Sequence, residues 1–201
     1  MVDKASTFST ILAKGVNSGQ LPAKSQEARK WFRQEAKKIT VPPSSLLRED
    51  QDRLKFNIKI GEMAMFFYDP KLKEELPYYD MFPLIFKISE DGSSFLGINF
   101  HYIPPVLRAK LMDALYTIAS NKKYDEKTKL RISYQILNSA SKFKYFKPCI
   151  KRYLRTHMRS KFMKVNANEW DIALWLNNTE QFKKATKYKV WQESRKIISG
   201  K

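Results

Sequence analysis

Apolar residues return at two different periods along this chain, and the change of period divides it into three regions. Up to about residue 41 the spacing is helical. Ala28, Trp31, Phe32, Ala36 and Ile39 share one face of a helix, and Arg29, Lys30, Arg33, Lys37 and Lys38 occupy the other. Gly15 and Gly19-Gln20-Leu21-Pro22 separate this helix from a shorter one around Phe8–Lys14. Val41-Pro42-Pro43-Ser44-Ser45 then breaks the pattern and reads as a linker.

Between residues 56 and 105 the apolar runs become short and are closed by turn residues. Met63–Tyr68 ends at Asp69-Pro70, Phe82–Ile88 at Glu90-Asp91-Gly92, and Phe95–Tyr102 at Ile103-Pro104-Pro105. Asp91-Gly92 between two such runs predicts a hairpin. Three or four short strands in so little chain predict a small antiparallel barrel of the SH3-like kind, which hides its edges by closing.

Beyond Pro105 the helical period returns. Leu107, Leu111, Ala114, Leu115 and Ile118 form one stripe, and Leu130, Tyr134 and Leu137 another. Pro148 suits the first position of a third helix, whose buried stripe would be Ile150, Tyr153, Leu154 and Met158. Asn168 reads as the cap of Trp170–Leu176, and Tyr188, Trp191 and Ile198 as the marks of a last helix. The expected fold class is α+β, a small antiparallel SH3-like β-barrel packed with N- and C-terminal helices. Residues 1–41 form the N-terminal helical segment, 56–105 the barrel core and 106–201 a basic helical region in this reading.

Charge changes the picture from a fold to a function. Among 201 residues, 38 are Lys or Arg and 20 are Asp or Glu, a formal net charge of +18. That is far more than solubility asks of a small domain. Such a surplus repels itself unless a polyanion or an acidic partner neutralises it, and nucleic acid is the leading candidate. Cys149 is the single cysteine, so no intramolecular disulfide can form, as suits a reducing compartment. The opening Met1-Val2-Asp3-Lys4 leads into polar residues, which does not match a secretory signal. No apolar run approaches the length of a membrane span.

The chemistry of catalysis is missing from the sequence. Cys149, His101 and His157 give no zinc set of ordinary spacing, and no phosphate-binding glycine loop or Gly-x-Ser-x-Gly elbow occurs. A magnesium nuclease would need converging carboxylates. Asp125-Glu126-Lys127 has an acid-x-Lys spacing, but it sits where a helix starts and its acids suit the helix dipole. Asp69, Asp80 and Asp91 lie in turn-like contexts. No catalytic residue, metal or cofactor is therefore expected, and the chain does not read as an enzyme.

The strongest functional signal runs from Lys142 to Lys164, a stretch without Asp or Glu. On a helix, Lys151, Arg155 and Arg159 would repeat every four residues beside Arg152, opposite the apolar stripe. Lys144, Lys147, Lys151, Arg152, Arg155, Arg159, Lys161 and Lys164 are the candidate phosphate contacts. Phe143, Tyr145 and Phe146 either stack on bases of an unpaired end or anchor the segment to the core. A second cluster comprises Lys183, Lys184, Lys187, Lys189, Arg195 and Lys196. Either cluster could instead be a solvated face or meet an acidic neighbour.

Three segments of the central region carry a resemblance. Met65–Lys71 (MFFYDPK), Leu76–Leu84 (LPYYDMFPL) and Phe95–Pro105 (FLGINFHYIPP) resemble small virion proteins of T4-like tailed phages, among them DNA end protectors and uncharacterised particle components. The likeness covers roughly residues 61–112 and stops short of the basic segment. It implies a protein of the virion, made in the bacterial host cytoplasm, that caps DNA ends or belongs to the neck or baseplate. Its partners would be double-stranded DNA ends and other phage structural proteins, with no membrane. Asp69, Tyr78, Tyr79, Asp80, Asn99 and His101 read as residues that lock the small barrel.

Overall fold

A computed structural model describes residues 6–21, 25–119, 146–177 and 179–200, with residues 125, 128 and 135 between them. The described residues form six helices and a six-stranded antiparallel sheet, accompanied by a separate strand pair. Helix α1 (Thr7–Asn17) starts where the Ser6 hydroxyl accepts the Ser9 N–H at 3.3 Å, and α2 (Gln26–Lys37) where Ser25 accepts the Ala28 N–H at 3.1 Å. Phe8 and Ile11 of α1 are buried with Ala28, Phe32 and Ala36 of α2. A Cβ at Gly15 would lie 2.2 Å from Cζ of Phe32, so only glycine allows α1 to approach α2 this closely. The segment read as a linker holds a further helix, α3 (Pro43–Glu49), which Pro43 opens.

The sheet contains β1 (Leu54–Lys55), β2 (Met63–Met65), β4 (Leu84–Asp91), β5 (Ser94–Asn99), β6 (Ile150–Leu154) and β7 (Phe162–Val165) in the order β1-β7-β2-β4-β5-β6. Strand β3 (Tyr79–Asp80) pairs apart with β8 (Phe182–Lys183). The expected hairpin is β4–β5, turning at Gly92 with φ of 36°. Three helices complete the fold: α4 (Pro105–Ala119), α5 (Trp170–Trp175) and α6 (Lys187–Ser199). Thr186 caps α6 at its start and Gly200, with φ of 73°, ends it in the left-handed conformation.

The two faces of the sheet have different neighbours. Met63 and Met65 lie opposite Phe86 and Leu84, and this face packs with Phe32, Ala36, Trp170, Ile172 and Leu174 of the helices. Ala64 lies opposite Ile85 on the other face, which gathers Phe66, Tyr68, Phe95, Tyr153 and Phe162 into an aromatic cluster. Phe66 sits at its centre, with ring centroids 5.0 Å from Phe162, 5.3 Å from Tyr153 and 5.9 Å from Phe95. Strands β5 and β7 are three steps apart, roughly 14 Å in a flat sheet. The Phe95 and Phe162 rings nevertheless lie 5.5 Å apart, so the sheet curls around the cluster.

The curl stops short of the closed SH3-like barrel that the strand pattern suggested. Among the described residues no ladder joins β1 to β6, the two edge strands. The segments that follow β2 and β6 meet instead at an isolated bridge between Tyr68 and Met158, with the Arg159 N–H donating to the Phe67 carbonyl at 2.8 Å. The second correction concerns residues 106–201, which were expected to be helical and supply β6, β7 and β8 as well as helices. The helix expected from Pro148 is a single 3-10 turn, Lys147–Cys149, followed by β6. The cause is tertiary: β5 presents an open edge, and Ile150 to Leu154 satisfy it in register with Ile98 to Ser94. Phe95 and Tyr153 stack across that pair at 5.3 Å. The stripe Leu130, Tyr134 and Leu137 lies outside the described residues.

Candidate nucleic-acid interface

A strand alternates its side chains where a helix would have gathered them, so β6 disperses the predicted basic face. Lys151 turns onto the Tyr102 ring, 4.0 Å from its centroid, and burial lowers its pKa. Arg152 points to the opposite side, exposed, with Nη1 3.2 Å from the Ser94 hydroxyl and 3.7 Å from Asp91. The 3-10 turn Arg155–His157 and the strand after it meet carboxylates from elsewhere in the chain. Arg155 pairs with Glu90 and also reaches Asn57 at 3.2 Å. Arg159 pairs with Asp69 at 3.1 Å, and Lys164 with Glu62 at 2.7 Å. Hydrogen bonds from Lys73 and Arg159 hold the Asp69 carboxyl below its ordinary pKa. His157 donates from Nδ1 to the Asp69 carbonyl at 2.8 Å. Lys161 is exposed and lies 4.3 Å over the Phe56 ring, while Lys147 is exposed before β6. Lys144 lies outside the described residues, as do Lys142, Phe143 and Tyr145.

The cations of α2 divide in the same way. Arg33 is buried enough to need its partners, Asp171 at 2.6 Å and Asp113 at 2.8 Å, and Arg29 reaches Asp113 at 2.9 Å. These arginines tie α2 to α4 and α5. Lys30 and Lys37 are exposed, and the Lys37 ammonium rests 4.2 Å over the Trp175 ring.

The second basic cluster gives the more open surface. Lys184, with φ of 64°, donates to the carbonyls of Lys73, Glu74 and Leu76 at 2.7, 2.8 and 3.3 Å and so fastens a loop. Lys187 lies 3.7 Å from Glu180. Lys183, Lys189, Arg195 and Lys196 are exposed. On α6 the positions Tyr188, Trp191, Gln192 and Arg195 follow helical spacing and share one face. With Lys37, Pro104, Pro105, Val106 and Trp175 they line a groove of about 620 Å³. Tyr188 is 69% exposed and Val106 67%. In the sequence, Tyr188 and Trp191 marked only a last helix. The overlooked signal was the interleaving Lys187-Tyr188-Lys189, which leaves an aromatic residue between two lysines.

Three residues of the T4-like pattern, Asp80, Asn99 and His101, form a buried lock, while Asp69 pairs nearer the surface with Lys73 and Arg159. Both carboxylate oxygens of Asp80 accept: Oδ1 from the Phe82 N–H at 3.0 Å and the Gln181 N–H at 3.3 Å, Oδ2 from Asn99 at 3.0 Å and His101 Nδ1 at 2.7 Å. Asn99 also donates to the Tyr153 hydroxyl at 3.1 Å. Nearby, fully buried Arg108 donates to the carbonyls of Ile103 and Leu174 and pairs with Glu180 at 2.9 Å. These bonds join β3, β5, β6 and the residues before α6, a positioning task for a polar group that burial would otherwise penalise. Asp125 accepts the Thr128 N–H at 2.7 Å. Among the described residues no group of three or more His, Cys, Asp and Glu is placed to hold a metal. No helix among them is long and apolar enough to cross a membrane.

No curated protein and no solved structure matches this chain. One family model does, that of the phage T4 terminal DNA protecting protein, and it matches residues 5–196. The resemblance noted over residues 61–112 thus extends to nearly the whole chain, including both basic clusters and the groove. The chain belongs to the family of the phage T4 terminal DNA protecting protein.

Proposed function

We propose that this protein covers the ends of linear double-stranded DNA without chemistry, by sequence-independent contact between exposed cations and backbone phosphates. The family match across residues 5–196 carries the reading. The net charge of +18 supports it, because a surplus of that size needs a polyanion. The contacts fall to cations without a close carboxylate among the described residues: Lys147 and Lys161 beside β6 and β7, with Arg152 in its looser pair, and Lys37, Lys189, Arg195 and Lys196 around α6. Arg155, Arg159 and Lys164 keep β6 and β7 in place through their acids and contribute little to phosphate binding. Its place is the phage particle, at the end of the packaged DNA and among other particle proteins.

The test compares linear and covalently closed circular duplexes of equal length, in binding and in protection from an exonuclease that degrades duplex ends. The linear duplex should bind more tightly and survive digestion. Equal binding to both forms, with no protection, would sink the reading. Cleavage on addition of magnesium would show that the acids had been wrongly set aside.

A further inference from the structure

The exposed groove beside α6 combines features that the contact with duplex phosphates does not require. Its walls bring three aromatic rings, Trp175, Tyr188 and Trp191, together with two cations, Lys37 and Arg195. Among the described residues no carboxylate lines it. Trp191 is held in place, because its indole N–H donates to the His101 carbonyl at 2.7 Å. Tyr188 stands edge-on to it at 5.6 Å. Pro104, Pro105 and Val106 supply an apolar wall.

We propose that this groove receives an unpaired nucleotide at the DNA terminus, its base against the aromatic rings and its phosphate beside Lys37 and Arg195. The proposal rests on the DNA-end reading and adds the substrate class of one site. Aromatic faces with cations and without acids fit an anion that itself carries an aromatic plane, and a nucleotide is such an anion. A paired base inside a duplex cannot offer its face to Tyr188, whereas a frayed or overhanging base can. The Lys37 ammonium now occupies the Trp175 face at 4.2 Å. Stacking of a base on an aromatic ring is stronger than an exposed cation–π contact, so the base takes the ring and leaves Lys37 to the phosphate. The volume of about 620 Å³ lies within the range of about 300–1,000 Å³ usual for ligand sites.

The experiment uses hairpin DNA with one open end, either blunt or carrying a short single-stranded tail, and a matched tail lacking its bases. The full-length protein should prefer the tailed end over the blunt end by about tenfold, and the preference should vanish with the abasic tail. Tyr188→Ala should remove the preference while leaving blunt-end affinity unchanged, and Tyr188→Phe should restore it. Lys37→Gln with Arg195→Gln should lower affinity for the tailed end and make it less salt-dependent. Equal binding of tailed and blunt ends by a protein that still favours linear over circular DNA overturns the groove and spares the end reading. Loss of the linear preference overturns both. A Tyr188→Ala protein weakened equally on both ends also overturns the proposal, because the groove would then meet paired DNA. So does a groove that binds an acidic peptide and ignores the tail.

Discussion

Residues 147–164 and 183–196 are both rich in Lys and Arg and both carry aromatic side chains, but the fold handles them in opposite ways. In the first stretch the aromatics are interior: Tyr153 and Phe162 help to build the cluster around Phe66. Three of its cations meet Glu90, Asp69 and Glu62, none of which is nearby in sequence. In the second stretch Tyr188 is open to water, and Lys189, Arg195 and Lys196 have no carboxylate partner among the ion pairs of the described residues. The comparison teaches that positive sequence and positive surface are different quantities. Charge on a chain becomes a field at a surface only where folding brings no counter-charge.

The sharpest way to break the comparison is the salt dependence of DNA binding. If Lys37, Lys189, Arg195 and Lys196 each neutralise a phosphate, replacing all four by Gln should make the log–log salt slope shallower by about 3.6, at about 0.9 per phosphate. The matching change of Lys151, Arg152, Arg155 and Arg159 should leave most of the slope intact while lowering stability. Titrations over a range of salt decide it, and the reverse result would restore the first stretch as the DNA face.

Stability gives the next contrast. Phe162→Ala removes a ring from the aromatic cluster and should cost about 3–5 kcal/mol in urea unfolding. Tyr188→Ala should stay within about 0.5 kcal/mol of the parent. Comparable losses would mean that Tyr188 packs in the interior.

A third measurement concerns Lys87, whose ammonium contacts Glu90, Asn57 and the Ile58 carbonyl beside the first stretch. Burial, reinforced by the charge of Arg155, lowers its pKa from 10.5 to about 8. The unfolded chain therefore holds more protons here between those values, and this group makes stability rise with pH from about 8 to 10.5. Wild type minus Lys87→Met isolates that rise, and a flat difference would mean that the Glu90 carboxylate offsets the burial of the ammonium. The smallest effect belongs to an exposed pair. Arg159→Gln should let the Asp69 pKa rise toward its ordinary value, read by NMR titration, without a measurable change in Tm.

Much of the scaffold was legible along the chain. The runs at Met63, Leu84 and Phe95 are β2, β4 and β5, and their alternation put Leu84 and Phe86 on one buried face. A charge at Leu84 should unfold the protein, because it would lie unpaired in that interior. Of the six T4-like residues read as a lock, Asp80, Asn99 and His101 do join one another in the interior, though not within a closed barrel. The segment after Pro148 did not read correctly. Its apolar spacing fits a helix and a strand alike, and short apolar runs do not separate the two.

What the sequence determined by itself was the net charge and most of the local elements, because composition fixes the first and side-chain period fixes which face is apolar. What only the tertiary structure decided was where the charge comes to rest. The open edge of β5 drew residues 150–154 into the sheet, the curl closed over Tyr153 and Phe162, and acids from distant loops met the arginines beside them. On α6 no ion pair of the described residues engages Arg195, and Tyr188 and Arg195 stay exposed beside Lys37 and Trp175. Both outcomes depend on residues far apart in the chain, and a distance of that kind exists only after folding.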